Sequence, residues 1–159
     1  MELRFEPRGV IGIDDARLIF KNFSGKQSEY NREGDRNFAV IIPDDMADRL
    51  REDGWNVKIK QPNNPDIEPY QYLPVKIKFS EYGPLIKVIS GRNVVTFDEE
   101  LVGQLDRMDI LKVDLDLRPY DWESPRFGSG RTAYLQKMYV TQNTNTLDAR
   151  YADLEYPEE

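Results

Sequence analysis

The sequence predicts a mostly β fold, built as a closed or nearly closed antiparallel barrel of five or more strands with one or two short helices. Apolar and polar residues alternate with a period of two along most of the 159-residue chain, as they do in strands that bury one face. Gly, Pro and Asn separate the alternating runs at short intervals, which favours turns. Strands of this number joined by short turns favour a barrel, and a two-sheet sandwich is the alternative.

Eight segments have the composition of strands. In residues 111–118 every second residue is Leu or Val, and the residues between them are charged. In residues 75–79 the apolar side chains alternate with two lysines, so we expect the lysines on the face away from the core. Residues 63–70 and 122–130 are predicted as longer exposed loops. The predicted strands cover residues 16–21, 37–42, 55–60, 75–79, 85–90, 93–97, 111–118 and 132–140.

Two segments have helical features and are expected to cover the sheet or plug an open end of it. Residues 43–54 carry Asp44 and Asp45 near their start, which suit the positive end of a helix, and Gly54 suits its left-handed stop. Residues 98–108 also begin with acids, and they place Leu101 and Leu105 on one helical face.

The composition excludes several kinds of chemistry. Cysteine is absent, which excludes disulfides, thiolate metal sites and cysteine nucleophiles. Histidine is also absent, which removes the commonest general base and metal ligand. No apolar run approaches the length of a membrane span, and the first residues do not resemble a signal peptide. We expect a soluble cytoplasmic protein with no cofactor and no metal.

Charge is distributed unevenly along the chain. The net charge is −7, which by itself argues against nucleic acid as a partner. Residues 151–159 hold four acids and no base, whereas residues 55–92 hold six bases and three acids. We therefore predict a single domain, residues 1–150, followed by a flexible acidic C-terminal tail, residues 151–159.

The outward face of the predicted sheet combines cations with aromatic rings. Such a face suits single-stranded nucleic acid, because cations contact phosphates and rings stack on unpaired bases at about 1–3 kcal/mol per base. An ordinary solvated face with rings that only pack is the alternative. The residues predicted to contact DNA are Lys21, Phe23, Lys26, Tyr30, Arg32, Arg36, Lys58, Lys60, Tyr72, Lys76, Lys78, Arg118, Tyr120, Trp122, Arg126 and Arg131.

The loop at residues 24–36 is crowded with charge and contains two glycines. In a small barrel the loop after the first strand borders the binding face, so we expect Tyr30 to stack on a base and Arg32 or Arg36 to meet a phosphate. The alternative is that Glu33 and Asp35 simply neutralise the two arginines in a rigid turn.

The acidic tail has two interpretations. It serves only solubility, or it imitates a phosphate backbone by occupying the protein's own basic groove or by recruiting a basic partner. The residues predicted to contact such a partner are Asp153, Glu155, Glu158 and Glu159.

An ordered set of segments resembles a group of bacteriophage-encoded single-stranded-DNA-binding proteins. The segments are RLIFKNFSGK (17–26), EYNREGDRNFAVII (29–42), DGWNVK (53–58), YLPVKIKF (72–79), LRPYDW (117–122) and AYLQKMYV (133–140). The resemblance implies an oligonucleotide/oligosaccharide-binding (OB) barrel without catalysis, which coats exposed strands during phage DNA replication or recombination. It also implies that the tail contacts phage or host replication proteins, although the chain ends in YPEE without a terminal aromatic residue. Formation of a homodimer is left as an open alternative. Residues 1–12 fall outside the resemblance.

Two other functions compete with DNA binding. An enzyme that holds Mg²⁺ for phosphodiester cleavage is one, since Asp114 and Asp116 share a strand face, but two carboxylates without a further ligand make a weak metal site. The other is a β-rich protein-interaction or virion-assembly module that binds no nucleic acid, which the acidic net charge favours.

Overall fold

The computed structural model of the chain describes residues 1–144, which form ten strands and one α-helix. The helix is α1 (Asp44–Glu52), and two 3-10 helices lie at Pro7–Gly9 and Val102–Asp106. The strands are β1 (Glu2–Phe5), β2 (Ile11–Asp14), β3 (Leu18–Asn22), β4 (Arg36–Ile42), β5 (Lys58–Lys60), β6 (Tyr70–Ile77), β7 (Leu85–Ser90), β8 (Asn93–Phe97), β9 (Ile110–Ser124) and β10 (Gly128–Gln142).

The strands form a barrel, as the alternating pattern predicts. Their hydrogen-bonded order is β1-β2-β9-β10-β6-β4-β3, and β2 and β3 follow one another along the chain. The bend between them bridges β9 and β4, because the Ala16 N–H donates to the Val113 carbonyl of β9 at 2.7 Å and the Ile41 N–H of β4 donates to the Arg17 carbonyl at 2.9 Å. The result is a partly open barrel of the OB type, to which β5, β7 and β8 are added beside the main path.

The core lies inside this barrel. Alternate residues of β6 and β9 point inward and are almost fully buried, including Val75, Leu115 and Leu117. Helix α1 adds Ala47 and Leu50, which are fully buried. Among residues 1–144, no polar or charged residue is buried as a whole, so the core itself is apolar.

Pairing differs from the prediction in one respect. The barrel is not wholly antiparallel, because β10 pairs in parallel with β6 and with β7. Parallel neighbours need a long connection between them, and the pattern of a strand does not reveal which distant strand it will join.

Three segments also differ from the prediction. The second predicted helix, residues 98–108, is reduced to the 3-10 helix at Val102–Asp106, where Gly103 packs closely against Ser24. The predicted loop at residues 122–130 is the tip of a long β9–β10 hairpin. The N-terminal residues, for which the pattern made no prediction, form β1 and β2.

No helix among residues 1–144 is long and apolar enough to cross a membrane. The predicted acidic tail, residues 151–159, and the predicted domain end at residue 150 lie outside the described residues.

Candidate nucleic-acid interface

A groove of about 840 Å³ runs over the outer faces of β4 and β6, with the β3–β4 loop (residues 23–35) beside it. The alternation of β6 creates this face: Leu73, Val75 and Ile77 are buried, whereas Tyr72 and Lys76 point out. Seven of the residues predicted to contact DNA line the groove: Tyr30, Arg32, Arg36, Lys58, Tyr72, Lys76 and Lys78.

The groove is cationic although the protein is anionic. Its lining includes five basic side chains and one acid, Asp35, on a chain whose net charge is −7. Asp35 lies 3.4 Å from Arg32, whose side chain is still 91 % exposed. The lining also includes the exposed or partly exposed rings of Phe20, Tyr30, Tyr72 and Tyr134, so the groove presents both cations and rings.

Strand register extends this face across the sheet. Lys76 pairs with Tyr134 of β10, and Tyr134 pairs with Arg118 of β9, which places the three side chains in one row. The Arg118 guanidinium lies 4.9 Å from the centre of the Tyr134 ring. The Tyr120 ring meets the same ring edge-on at 6.0 Å. Since Tyr134 also lines the groove, the predicted contacts of β6 and those of β9 meet at this residue.

The face continues onto the hairpin arm, residues 119–133. Trp122 lies on the same side of β9 as Arg118 and Tyr120, and its indole ring packs directly over Gly130, where a Cβ atom would approach the ring to 2.6 Å. Arg126 lies at the tip of the arm, over the Phe127 ring at 5.2 Å.

The β3–β4 loop is held by side chains that the sequence reasoning missed. The Asn31 amide donates to the carbonyls of Lys26 and Asp35, and it accepts a hydrogen bond from the amide of Asn37 at 2.8 Å. At the start of the loop the Asp106 carboxylate accepts the N–H groups of Phe23 and Ser24 at 2.7 and 3.0 Å. Asparagine and aspartate in turns are the signal that points to such roles, but their partners are not visible in the sequence.

The two arginines of the loop are placed differently. Arg32 projects into solvent, as does Tyr30, which is 92 % exposed. Arg36 is 19 % exposed, lies 3.6 Å from the Glu99 carboxylate and covers the Phe79 ring at 5.9 Å. The alternative interpretation expected Glu33 and Asp35 to neutralise both arginines, but the acid beside Arg36 is Glu99, and Asp35 lies beside the exposed Arg32.

Phe20 is a groove residue that the sequence reasoning missed. A register shift between Ile19 and Asn22 marks a β-bulge in β3, and Phe20 has a φ of 52° within it. The ring is half exposed and meets the Tyr72 ring edge-on at 5.4 Å. Strict alternation would place Phe20 on the same strand face as Ala16 and Leu18. No feature of the sequence indicates the bulge.

Three residues predicted to contact DNA lie elsewhere. Phe23 is fully buried and stacks on Phe38 at 5.2 Å, so its assignment to the interface is wrong. Lys21 lines a separate depression between β3 and β9. Arg131 points to the face of the arm opposite Trp122, because adjacent positions of a strand alternate between faces.

Arg131 fastens the arm to the barrel. Its Nε donates to the Asp121 carboxylate at 2.7 Å, its Nη1 donates to the Asp53 carbonyl, and its guanidinium covers the buried Trp55 ring at 5.3 Å. The hydrogen bond from Arg131 lowers the pKa of Asp121 below its ordinary value, and the same bond raises the pKa of Arg131. These contacts give Arg131 a structural role in place of the predicted contact with DNA.

The remaining predicted contacts lie at the margins of the groove. Lys26 is exposed in the β3–β4 loop, and Lys60 pairs with Tyr70 at the end of β5, so both surround the groove without lining it.

The carboxylates considered for metal binding have other partners. Asp114 accepts the backbone N–H of Asp15 at 2.8 Å, and Asp116 lies 3.8 Å from the guanidinium of Arg4. Within residues 1–144 no group of three or more acidic side chains is arranged to hold a metal ion.

Comparison with known families identifies the chain. Residues 3–159 match the phage ssDNA-binding domain family. The chain belongs to this family. The match covers nearly the whole sequence, so it confirms the resemblance drawn from the ordered segments and extends it through the N-terminal strands.

Solved structures show the same fold at low sequence identity. The single-stranded DNA-binding protein from bacteriophage Enc34 in complex with ssDNA is 14 % identical and aligns over 91 % of this chain and 93 % of its own, with a TM-score of 0.57. A C-terminal truncation of the Enc34 protein is 14 % identical, aligns over 89 % of this chain and 90 % of its own, and has a TM-score of 0.53. A search of curated protein sequences finds no significant match.

We expect Asp121→Asn to destabilise the fold at neutral pH and to have a smaller effect once the pH is below the ordinary carboxyl pKa. The pKa of Asp121 is lowered in the folded state, so its ion pair stabilises the fold above the ordinary carboxyl pKa and is lost as the pH falls through the lowered value. Urea denaturation of both proteins at about pH 7 and about pH 3 measures this difference. Glu123→Gln, on the same strand, is the control, since Glu123 makes no ion pair within residues 1–144. An equal difference at both pH values would contradict the assignment.

Proposed function

We propose that this protein binds single-stranded DNA without catalysis and with little sequence preference, and that it coats exposed strands during phage DNA replication or recombination. The observation that carries the proposal is the groove over β4 and β6, which brings five cations and four exposed or partly exposed aromatic rings together on an otherwise anionic molecule. Membership of the phage ssDNA-binding domain family supports it.

The charges of the groove suit a phosphate backbone. Arg32, Lys58, Lys76 and Lys78 lie along one continuous surface, and Asp35 is the one acid in the lining. Cations spaced in this way displace the counterions of a nucleic acid, which makes binding favourable and sensitive to salt. The flexible lysine side chains contact phosphates as point charges and therefore follow the strand whatever its sequence.

The rings of the groove suit unpaired bases. Tyr30, Tyr72 and Tyr134 line it, and Tyr120 meets the Tyr134 ring edge-on. An exposed ring stacks on any base, because every base has a π face, and stacking needs a base that is not paired in a duplex. These contacts favour single strands over duplex DNA and explain why we expect slight sequence preference.

The absence of catalysis is also part of the proposal. The carboxylates of β9 are engaged by backbone and by arginine, and the described residues offer no metal cluster. A nuclease would cleave a single-stranded probe when Mg²⁺ is added, whereas a coating protein leaves it intact.

Fluorescence anisotropy with labelled oligo-dT tests the proposal, with Lys76→Ala as the decisive variant. Lys76 is exposed, lines the groove and pairs with Tyr134, so its loss removes one phosphate contact without disturbing the core. We expect weaker binding and a slope of log affinity against log salt that is smaller by about 0.7. Lys112→Ala is the matched control, because Lys112 is exposed and lies in a different depression.

Other outcomes separate the competing functions. Equal binding to duplex DNA and oligo-dT would contradict single-strand selectivity, and cleavage of the probe with Mg²⁺ would identify an enzyme. No binding to oligo-dT at low salt would favour the competing function, a protein-interaction or virion-assembly module.

The acidic tail is proposed to compete with DNA for the groove and to contact phage or host replication proteins. Residues 151–159 carry four acids, so their removal lowers the negative charge that opposes a nucleic acid. We expect deletion of these residues to tighten binding to oligo-dT, most clearly at low salt. Unchanged affinity would indicate that the tail serves only solubility. The homodimer stays a prediction, which sedimentation velocity of the full chain tests.

The place of action is proposed to be the cytoplasm of the host cell, where such a protein meets replicating DNA. The lack of cysteine is compatible with this reducing compartment. Fractionation of infected cells tests the proposal, and recovery outside the cytoplasm would contradict it.

A further inference from the structure

A second cationic depression adjoins the groove. It has a volume of about 530 Å³, and Val10, Pro84 and Pro119 are among the apolar residues of its wall. Its charged lining consists of Arg8, Lys78 and Arg118, with no acid among the lining residues, and Tyr82 stands at its side. Tyr82 is 92 % exposed.

The depression and the groove are continuous. Lys78 lines both of them. Arg118 lies over the ring of Tyr134, which lines the groove. A strand that leaves the groove past Lys78 therefore passes directly over the second depression.

The turn at residues 7–9 holds Arg8 beside this path. The backbone of Arg8 is left-handed, with a φ of 63°, and the flanking hydrogen bond from the Glu6 N–H to the Val10 carbonyl closes the turn at 2.8 Å. Gly9 packs against Pro119, so the turn is attached to β9. The nearby acid Glu6 pairs with Arg4 at 2.6 Å. An arginine presented from a closed turn loses less freedom on binding than one on a mobile segment.

We propose that the second depression binds the phosphates of nucleotides that extend beyond the groove, with Tyr82 available to stack on a base. The inference rests on the proposed single-strand binding and adds a contact surface from the N-terminal turn and the β6–β7 loop. It assigns to Arg8 and Tyr82 a role that grows with the length of the DNA.

A length series tests this proposal. We would measure the affinity of wild type and of Arg8→Gln/Tyr82→Ala for oligo-dT of about 5 and about 15 nucleotides, which span the site sizes of single OB folds. We expect the double variant to bind the short probe like wild type and the long probe at least about 5-fold more weakly, the smallest effect of one lost stacking contact. Arg92→Gln is the control, since Arg92 is exposed in the β7–β8 turn and lines neither depression.

Two results would overturn the subsite while leaving single-strand binding intact. One is unchanged affinity for the long probe, and the other is an equal loss for both probes. Failure of wild type to bind either probe would instead overturn the proposed function.

A separate observation, the backbone of Phe20, points to a stacking residue in the groove. A left-handed φ of 52° is a true outlier for a bulky aromatic residue and is costly. The bulge that contains it turns an apolar ring outward, where it remains 52 % exposed beside Tyr72. Neither the left-handed backbone nor the exposed ring of Phe20 stabilises the folded state, so the outward position of this ring needs another explanation.

We infer that Phe20 stacks on a base of the bound strand and that the bulge presents it for this purpose. The edge-on contact with Tyr72 at 5.4 Å limits its movement and leaves the two rings side by side in the groove. This inference also rests on single-strand binding, but it concerns the bulge of β3 and involves neither Lys78 nor the second depression.

Replacement of Phe20 by residues that tolerate the left-handed region separates function from stability. We expect Phe20→Asn and Phe20→Gly to raise or preserve the thermal midpoint, because strain is relieved, and to weaken oligo-dT binding by about 5- to 150-fold. Phe5→Ala is the matched control, since Phe5 is 49 % exposed on β1 and does not line the groove.

A lower midpoint in both Phe20 variants would show that the ring serves the fold, and unchanged affinity would show that it does not stack on DNA. Either result overturns the inference. Binding that still depends on Lys76 in the same assays would leave the proposed function standing.

Discussion

The parallel pairing of β10 with β6 is the contact on which the whole binding face depends. It joins the meander of β3, β4 and β6 to the long β9–β10 hairpin, and it consists of Ala133 beside Val75 and Tyr134 beside Lys76. The first pair is buried and the second faces out, so packing of the core fixes the register of the surface. A slip of one residue would turn Lys76 and Tyr134 inward and separate the groove from the hairpin arm.

Charge segregation follows from this arrangement. Along β9 the outward positions change from acidic, at Asp114 and Asp116, to basic, at Arg118. The acids lie near Arg4, whose pKa is raised chiefly by its hydrogen bond to Asp14, while Arg118 lies at the groove side of the strand. An anionic molecule thereby keeps a local cationic surface, which orients an approaching nucleic acid while the remainder of the surface repels it.

The β3–β4 loop shows how polar side chains prepare this surface. Asn31, Asn37 and Asp106 hold the backbone of the loop through several hydrogen bonds, and Tyr30 and Arg32 extend from it into solvent. A loop ordered in advance pays less conformational entropy when its ligand binds. The hairpin arm is also ordered in advance, because Arg131 donates a hydrogen bond to the Asp53 carbonyl at the end of α1. It should therefore lose less conformational entropy on binding.

Local alternation determined much of the protein in advance. It separated Tyr72, Lys76 and Lys78 from the buried side chains of β6, because neighbouring side chains of a strand point to opposite faces wherever the strand lies. The mostly β barrel and the helix at α1 were predictable on the same local grounds, and the ordered segments indicated the OB type and the family.

The sequence does not show which strands pair with one another or where the alternation of buried and exposed residues is interrupted. Phe23 is buried and Phe20 is exposed because of a bulge in β3, and Arg131 faces Trp55 because β10 lies beside the end of α1. The second depression likewise unites Arg8 with Lys78 and Arg118 from distant parts of the chain. Such neighbours arise from long-range packing, in which a small difference among many contacts selects one pairing, and no local pattern records that choice.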